Sequence, residues 1–116
     1  MQFKLIIALV EDTKTDQIMS AARKAGATGA TILSDARGEG LNPQKTFFGL
    51  ALEAQRNMLM FIVEEKLSRD VLEKIAEVGG FEETPGSGVA FKIDIEDAIG
   101  LNSQISAITE EIEDIS

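Results

Sequence analysis

The distribution of apolar positions along the chain predicts four β-strands. Residues 3–10 and 58–63 are almost uninterrupted apolar runs, as in strands that are buried on both faces. Residues 30–33 predict a further, short strand between them. In residues 89–95 large apolar side chains alternate with small or polar ones, which is typical of a half-buried strand at the edge of a sheet.

Two amphipathic helices are predicted between these strands. The first begins at an N-cap, Asp12 or Thr13, carries apolar residues at helical spacing and stops at Gly26. The second is expected to begin at Ser68, to bury a stripe of aliphatic residues and to end at glycines 79–80. The element order is therefore β-α-β, an exposed loop over residues 35–46, and a second β-α-β.

This order is the α+β, ferredoxin-like βαββαβ pattern, an antiparallel sheet with two helices on one face. The first and third strands form the central pair of that fold, which agrees with the two runs that are apolar on both faces. Two helices cover only one face of a sheet, so the second apolar face needs another cover. Self-association of the chain is the simplest cover, and the residues themselves do not fix its stoichiometry.

Length and composition predict one domain over residues 1–100 and a tail over residues 101–116. A chain of 116 residues is too short for two independent cores. Beyond residue 100 the sequence is acidic, has isoleucines at helical spacing and contains no lysine or arginine. The tail is either a short helix that packs against a subunit or a disordered end.

The residue types that are missing make several classes of function improbable. The chain has no cysteine and no histidine, which removes thiolate chemistry and the commonest general base and metal ligand. We therefore expect a protein that is not an enzyme and holds no metal. A net charge of −9 repels a phosphate backbone, so no nucleic-acid partner is expected. No apolar run is long enough to span a bilayer, and the cytoplasm is the expected compartment.

Six short segments carry a recognisable combination of motifs. In chain order they are residues 4–10 (KLIIALV), 25–33 (AGATGATIL), 37–40 (RGEG), 58–64 (MLMFIVE), 86–91 (GSGVAF) and 94–99 (DIEDAI). Together they resemble the P-II nitrogen regulators, a family of signal-transduction proteins. The resemblance covers the first β-α-β unit, the opening of the family's long T-loop, the third strand, and the glycine-rich B-loop with the last strand.

The resemblance implies a homotrimer that binds ATP or ADP in clefts between subunits. In that family the state of the T-loop controls docking to a membrane transporter or an enzyme. A small-molecule effector regulates such a partner by biasing one loop conformation over another. Glycine-rich turns suit an anionic ligand, because backbone N–H groups approach phosphate oxygens without a Cβ in the way.

The candidate ligand residues are those that match the family's motifs. Thr31 and the T-loop glycines match the base of the T-loop, and Val63 matches a position beside the adenine. Three basic residues, Arg37, Lys45 and Arg56, lie nearest the predicted cleft; such residues are more often solvated surface charges, and Arg37 is kept as a candidate. The full set is Thr31, Arg37, Gly38, Gly40, Val63, Gly86, Ser87 and Gly88.

The chain departs from the family's pattern where cations are usual. Val89 stands where the family has a lysine after the second B-loop glycine, and residues 100–103 (GLNS) stand where arginines follow the last strand. There is also no tyrosine, so the family's tyrosyl modification has no acceptor. The cationic phosphate clamp is largely missing. The ligand is left open between an adenine nucleotide, another small anion and no ligand at all.

Three other interpretations of the same pattern are considered. A ferredoxin-like trimer of the divalent-cation-tolerance type has to bind metal through carboxylates alone, because histidine and cysteine are absent. A structural assembly subunit fits the fold and predicts no ligand. A small hydrolase of the acylphosphatase type fits poorly, since residues 11–14 (EDTK) supply neither the arginine nor the glycine-rich cradle that it needs.

Overall fold

The computed structural model describes residues 2–36, 46–47, 50–51 and 56–100. The predicted tail and most of the predicted loop, including Arg37, Gly38 and Gly40, lie outside the described residues. A short 3-10 turn, Asp12–Lys14, precedes the first helix. The elements are β1 (Phe3–Glu11), α1 (Thr15–Ala25), β2 (Gly29–Ala36), β3 (Thr46–Phe47), β4 (Leu50–Ala51), β5 (Arg56–Glu64), α2 (Glu65–Gly79) and β6 (Gly88–Asp94).

Four strands form an antiparallel sheet in the order β2-β5-β1-β6. The two strands with continuous apolar runs, β1 and β5, lie in the centre and pair from Phe3–Glu64 to Glu11–Arg56. The shorter β2 and the alternating β6 lie at the edges. Among the described residues, the short strands β3 and β4 pair with each other and with no other strand. The predicted ferredoxin-like fold and its central pair are therefore confirmed.

Both helices pack on one face of the sheet, and the core lies between these layers. On the sheet side it is built from alternate residues of the central strands, and on the helix side from the apolar stripes of α1 and α2. Full burial of each aliphatic side chain stabilises the fold by about 1.5–3 kcal/mol. The core residues are Ile6, Ala8, Val10, Leu59, Phe61, Val63, Ile18, Ala22, Ala27, Val71 and Ile75.

The opposite sheet face, here called the open face, is also apolar. Leu5 and Ile7 of β1 point to it and are half-buried. Their register partners on β6, Ile93 and Phe91, are 44% and 37% exposed, and Leu33 of β2 is 48% exposed. The alternation of β6 is as predicted, but its large apolar side faces away from the helices. Within the described residues, no helix covers this second apolar surface as α1 and α2 cover the first.

Both helix starts differ from the predicted ones. Neither Asp12 nor Thr13 caps α1; the 3-10 turn intervenes, and the Asp12 carboxylate instead accepts a hydrogen bond from Asn57 Nδ2 at 3.0 Å. Helix α2 begins three residues before the predicted cap, Ser68, which is fully buried inside the helix. Its N-cap is Glu64, whose carboxylate accepts the Lys66 N–H at 2.7 Å.

The predicted helix ends are confirmed. Gly26 follows α1 with φ 125°, and Gly80 follows α2 in the left-handed conformation with φ 65°. Both positions favour glycine, because a Cβ is disfavoured at these dihedral angles. Neither helix in the described part of the chain is long and apolar enough to cross a membrane.

Candidate functional site

The candidate site is the glycine turn, residues 79–88, which connects α2 to β6. A chain of hydrogen bonds fixes its shape from within. Thr84 N–H donates to Gly80 O at 3.0 Å, and Ser87 N–H donates to Thr84 O at 3.1 Å. The Ser87 hydroxyl, 2% exposed, donates to Gly80 O at 3.1 Å. Gly86 has φ 79°, a conformation that is energetically unfavourable for a residue with a Cβ.

Two glycines of this turn make room for an aromatic ring. A Cβ placed on Gly79 or on Gly88 would overlap the ring of Phe81 at closer than van der Waals distance. Phe81 itself is half-buried and packs against the core. The structure therefore gives Gly88 a packing role in addition to the ligand role that its motif predicts.

The guanidinium of Arg56 donates two hydrogen bonds to the turn. Its Nη1 donates to Ser87 O at 2.9 Å and its Nη2 donates to Gly86 O at 2.7 Å. Arg56 is only 4% exposed, and Glu11 Oε1 lies 3.9 Å from its Nη1. The expectation of a solvated surface charge is wrong for this residue. Its fork of N–H donors matches two neighbouring carbonyls, which the single ammonium of a lysine does not reproduce.

A second cation holds the start of the turn. Lys14 Nζ donates to Gly79 O at 2.9 Å, next to the C-terminus of α2, where a positive charge is favoured by the helix dipole. The two cations that contact the turn therefore bind its main-chain carbonyls. Glu82 and Glu83, in the middle of the turn, are both exposed. The described surface of the turn is consequently acidic.

A small buried polar cluster fixes the strand end next to Arg56. Asn57 Nδ2 donates to Thr15 Oγ1 at 2.7 Å and to Asp12 Oδ1 at 3.0 Å. Thr15 Oγ1 in turn donates to Glu11 O at 3.4 Å. The cluster ties the beginning of β5 to the end of β1 and to the first turn of α1. The main chain that carries Arg56 is thereby held in place.

The predicted ligand residues do not come together within one chain. Gly86, Ser87 and Gly88 lie together at the turn, and Gly88 pairs with Val10. Thr31 lies exposed on β2 at the opposite edge of the sheet, three strand spacings or about 14 Å away across the sheet.

Val63 is also far from the turn. Its register partner on β1 is Lys4, six residues from Val10, or about 20 Å along the strand. The Val63 side chain is 1% exposed and belongs to the core. Two open clefts, of about 680 and 630 Å³, lie between α1 and α2 and beside Lys4 and Asp94; neither is lined by a predicted ligand residue.

Sequence reasoning missed the residues that shape the turn. The ring of Phe81 lies within the turn, and Lys14 and Arg56 contact the turn from outside. The sequence pattern singled out only Arg56, as one of the basic residues near the predicted cleft. The sequence does contain a signal for Arg56. Arg56 and Asn57 are polar but directly precede the apolar run of β5, where a polar side chain is expected to be buried and to need a hydrogen-bond partner. Within the described residues no group of three or more histidine, cysteine, aspartate or glutamate side chains could hold a metal.

The opposite end of the sheet carries an ion pair. Lys4 of β1 and Asp94 of β6 are directly opposed in the ladder, and the ammonium donates a hydrogen bond to the carboxylate. This hydrogen bond lowers the pKa of Asp94 and raises the pKa of Lys4. Glu65 Oε1 lies 3.8 Å from the same ammonium. The pair closes the far end of the β1–β6 ladder and has no contact with the glycine turn.

Comparison with known families and structures agrees with this fold. The family model of nitrogen regulatory protein P-II matches residues 3–104. The chain belongs to the nitrogen regulatory protein P-II family, a family of signal-transduction proteins, as its motifs suggested. A search of curated proteins gave no match.

Solved structures of PII-like proteins are similar to the chain. One is a PII-like signaling protein of Thermus thermophilus, at 23% identity and a TM-score of 0.58, covering 82% of this chain and 91% of that one. Another is the apo form of CPII of Thiomonas intermedia, at 23% identity and a TM-score of 0.61, covering 82% of this chain and 90% of that one. CPII bound to ADP, AMP and acetate has 23% identity and a TM-score of 0.64, covering 85% and 91%.

Proposed function

We propose that this chain is a homotrimeric signalling protein that senses an adenine nucleotide at the glycine turn, in clefts between subunits. Through its T-loop, which opens at residues 37–40, it regulates a partner, either a membrane transporter or an enzyme, in the cytoplasm. The observation that carries the proposal is the turn itself. Its main-chain carbonyls accept hydrogen bonds from Arg56 and Lys14, and these contacts stabilise one conformation of the turn without a ligand.

The position of the predicted ligand residues supports a cleft between subunits. Thr31 and Gly86 belong to opposite edges of one sheet, so one chain cannot bring both to a single ligand. We expect a second copy that packs against the open face to bring the β2 edge of one subunit close to the turn of the next. The exposed apolar side chains of the open face supply the surface for such an assembly.

The charges at the turn favour a nucleotide with few phosphates. Glu82 and Glu83 are exposed there, while Lys14 and Arg56 donate their hydrogen bonds to main-chain carbonyls rather than to the outer surface of the turn. Each further phosphate adds repulsion that no described cation of the turn offsets. Since the similar CPII has been solved with ADP and AMP, we expect AMP to bind most tightly, ADP less tightly and ATP least.

Isothermal titration of the purified protein with AMP, ADP and ATP tests this function. The matched variants are Gly86→Asn and Gly86→Asp, which have similar size and a similar tolerance of positive φ. They differ by one negative charge at the turn. We expect Gly86→Asp to bind AMP at least tenfold more weakly than Gly86→Asn, and the difference to shrink at high salt.

Three results would count against the proposal. Absence of binding for all three nucleotides contradicts nucleotide sensing and leaves the structural assembly protein as the remaining interpretation. Equal binding by the two Gly86 variants contradicts the location at the turn. A response to a divalent metal without any nucleotide would favour the divalent-cation-tolerance type instead.

A further inference from the structure

We infer that Arg56 is a positioning residue that joins the glycine turn to the end of β2, and this inference rests on the proposed function. The main chain of Arg56 lies where three strands meet. It pairs with Glu11 of β1 on one side and with Ala36, the last residue of β2, on the other. From there its side chain reaches past the end of β1 to Gly86 and Ser87.

The contacts of Arg56 fit a shaping role better than a purely stabilising one. Its Nε lies buried without a hydrogen-bond partner among the described residues, and burial of such a donor is unfavourable. The guanidinium gains its contacts from the two turn carbonyls and from the nearby carboxylate of Glu11. A well-packed apolar side chain usually serves stability at least as well as a buried charge. An apolar side chain cannot donate hydrogen bonds to the two carbonyls, so it cannot orient them as the guanidinium does.

The direction of these carbonyls also sets the direction of the N–H groups in the same peptide planes. A peptide unit is planar, so the carbonyl of Gly86 turns with the N–H of Ser87, which itself donates to Thr84 O, and the carbonyl of Ser87 turns with the N–H of Gly88. A ligand that binds this stretch of main chain therefore acts on the guanidinium of Arg56. Because the main chain of Arg56 pairs with Ala36, the effect reaches the end of β2.

Hydrogen exchange of the full chain, with and without AMP, tests the inference. In wild type we expect AMP to slow exchange at residues 86–88 and also at residues 32–36. In Arg56→Lys, which keeps the charge and loses the fork, we expect exchange at residues 86–88 without ligand to rise at least fivefold. Its AMP affinity should fall about tenfold, and the protection of residues 32–36 should disappear.

The control is Arg69→Lys, because Arg69 is exposed on α2 and pairs only with Glu73 on its own helix among the described contacts. It should behave as wild type in every measurement. Should Arg56→Lys fail to fold, Glu11→Gln perturbs the same guanidinium more gently and should raise exchange at residues 86–88 by about threefold. Unchanged exchange in the folded variants overturns the inference.

Different results contradict the proposed function and the coupling through Arg56. Wild-type protein that binds no AMP overturns the proposed function and, with it, the coupling. Wild-type protein that binds AMP, alongside an Arg56→Lys variant with equal affinity and equal protection of residues 32–36, overturns the coupling alone.

Discussion

At the scale of single residues, the ring of Phe81 depends on the absence of two side chains. Gly79 and Gly88 approach the ring so closely that a Cβ on either would overlap it. Gly29 on β2 offers a contrast, because a Cβ there would meet no atom within 4 Å. The three positions have the same residue type, but only Gly79 and Gly88 leave no room for a Cβ.

We predict that Gly88→Ala destabilises the fold by about 1–3 kcal/mol, the usual cost of overpacking. Gly29→Ala should be neutral or stabilise by up to about 1 kcal/mol, since it only restricts the unfolded chain. Urea unfolding at equilibrium measures both. In a Phe81→Ala background the Gly88→Ala effect should largely vanish. An undiminished effect there would mean that the ring is not what Gly88 accommodates.

The pair Lys4–Asp94 predicts a weak dependence of stability on pH. Because its partner lowers the pKa of Asp94, the carboxylate contributes stability above its unfolded pKa of about 3.9 and loses it as the pH falls through the lower folded value. Because the pKa of Lys4 is raised, the ammonium contributes below about 10.4 and loses this contribution as the pH rises through its higher folded value.

Thermal unfolding of wild type and Asp94→Asn from pH 2.5 to 8 checks this sign. Wild type should have the higher melting temperature near neutral pH, and the two curves should converge as the pH falls through the lowered folded-state pKa of Asp94. The difference should be small and should shrink in salt, because the carboxylate is 83% exposed. Glu96→Gln, at an exposed position nearby, is the control. A gap that widens in acid would contradict the assignment.

At the scale of the elements, the beginning of α2 depends on a carboxylate that precedes it. Glu64 is the last residue of β5 and accepts the Lys66 N–H, one of the donors that a helix start leaves unpaired. The predicted cap, Ser68, instead donates its hydroxyl to Glu65 O at 2.7 Å inside the helix.

We predict that Glu64→Ala destabilises the protein by about 1 kcal/mol, as loss of an N-cap does. Glu64→Gln keeps an oxygen acceptor and should lose less. Equilibrium unfolding followed by circular dichroism distinguishes the two. Equal losses in both variants would indicate that the charge rather than the hydrogen bond supports the helix start.

Elements with strong local signals were predictable from the sequence, whereas the starts of the two helices were not. The uninterrupted apolar runs of β1 and β5 identify the central strands because both sides of such strands are covered. The helix ends at Gly26 and Gly80 were predictable because glycine favours the positive φ with which many helices end. The start of α1 was not, since Asn57, distant in sequence, engages the Asp12 carboxylate.

At the scale of the whole molecule, we predict that the open face mediates assembly. Phe91 on this face is 37% exposed, and Val78, which lines the cleft between α1 and α2, is 36% exposed. Phe91→Glu should dissociate the trimer, because a buried unpaired carboxylate is costly at an apolar interface. Val78→Glu adds the same charge at nearly equal exposure and should leave the trimer intact.

Light scattering coupled to size exclusion measures the outcome. Wild type and Val78→Glu should have three times the chain mass of 12.5 kDa, and Phe91→Glu should have a lower mass. A monomeric wild type would contradict the assembly, and a trimeric Phe91→Glu would place the interface elsewhere.

Only part of the candidate site was predictable from sequence. Gly86, Ser87 and Gly88 stand out because glycines between a helix and a strand mark a turn. The inward cations Lys14 and Arg56 contact the turn from positions 65 and about 30 residues away in sequence. Those contacts depend on how β1, α2 and β5 pack together, which no local pattern encodes.

The separation of Thr31 from the turn has a genetic consequence. In the proposed trimer each cleft takes its turn from one chain and its β2 edge from the next, so the two halves of a cleft are inherited separately. An allele defective only in the turn and an allele defective only in the β2 edge are each inactive alone. Expressed together, every trimer containing both chains has one cleft built from two sound halves, and the pair restores partial activity by complementation within a single gene.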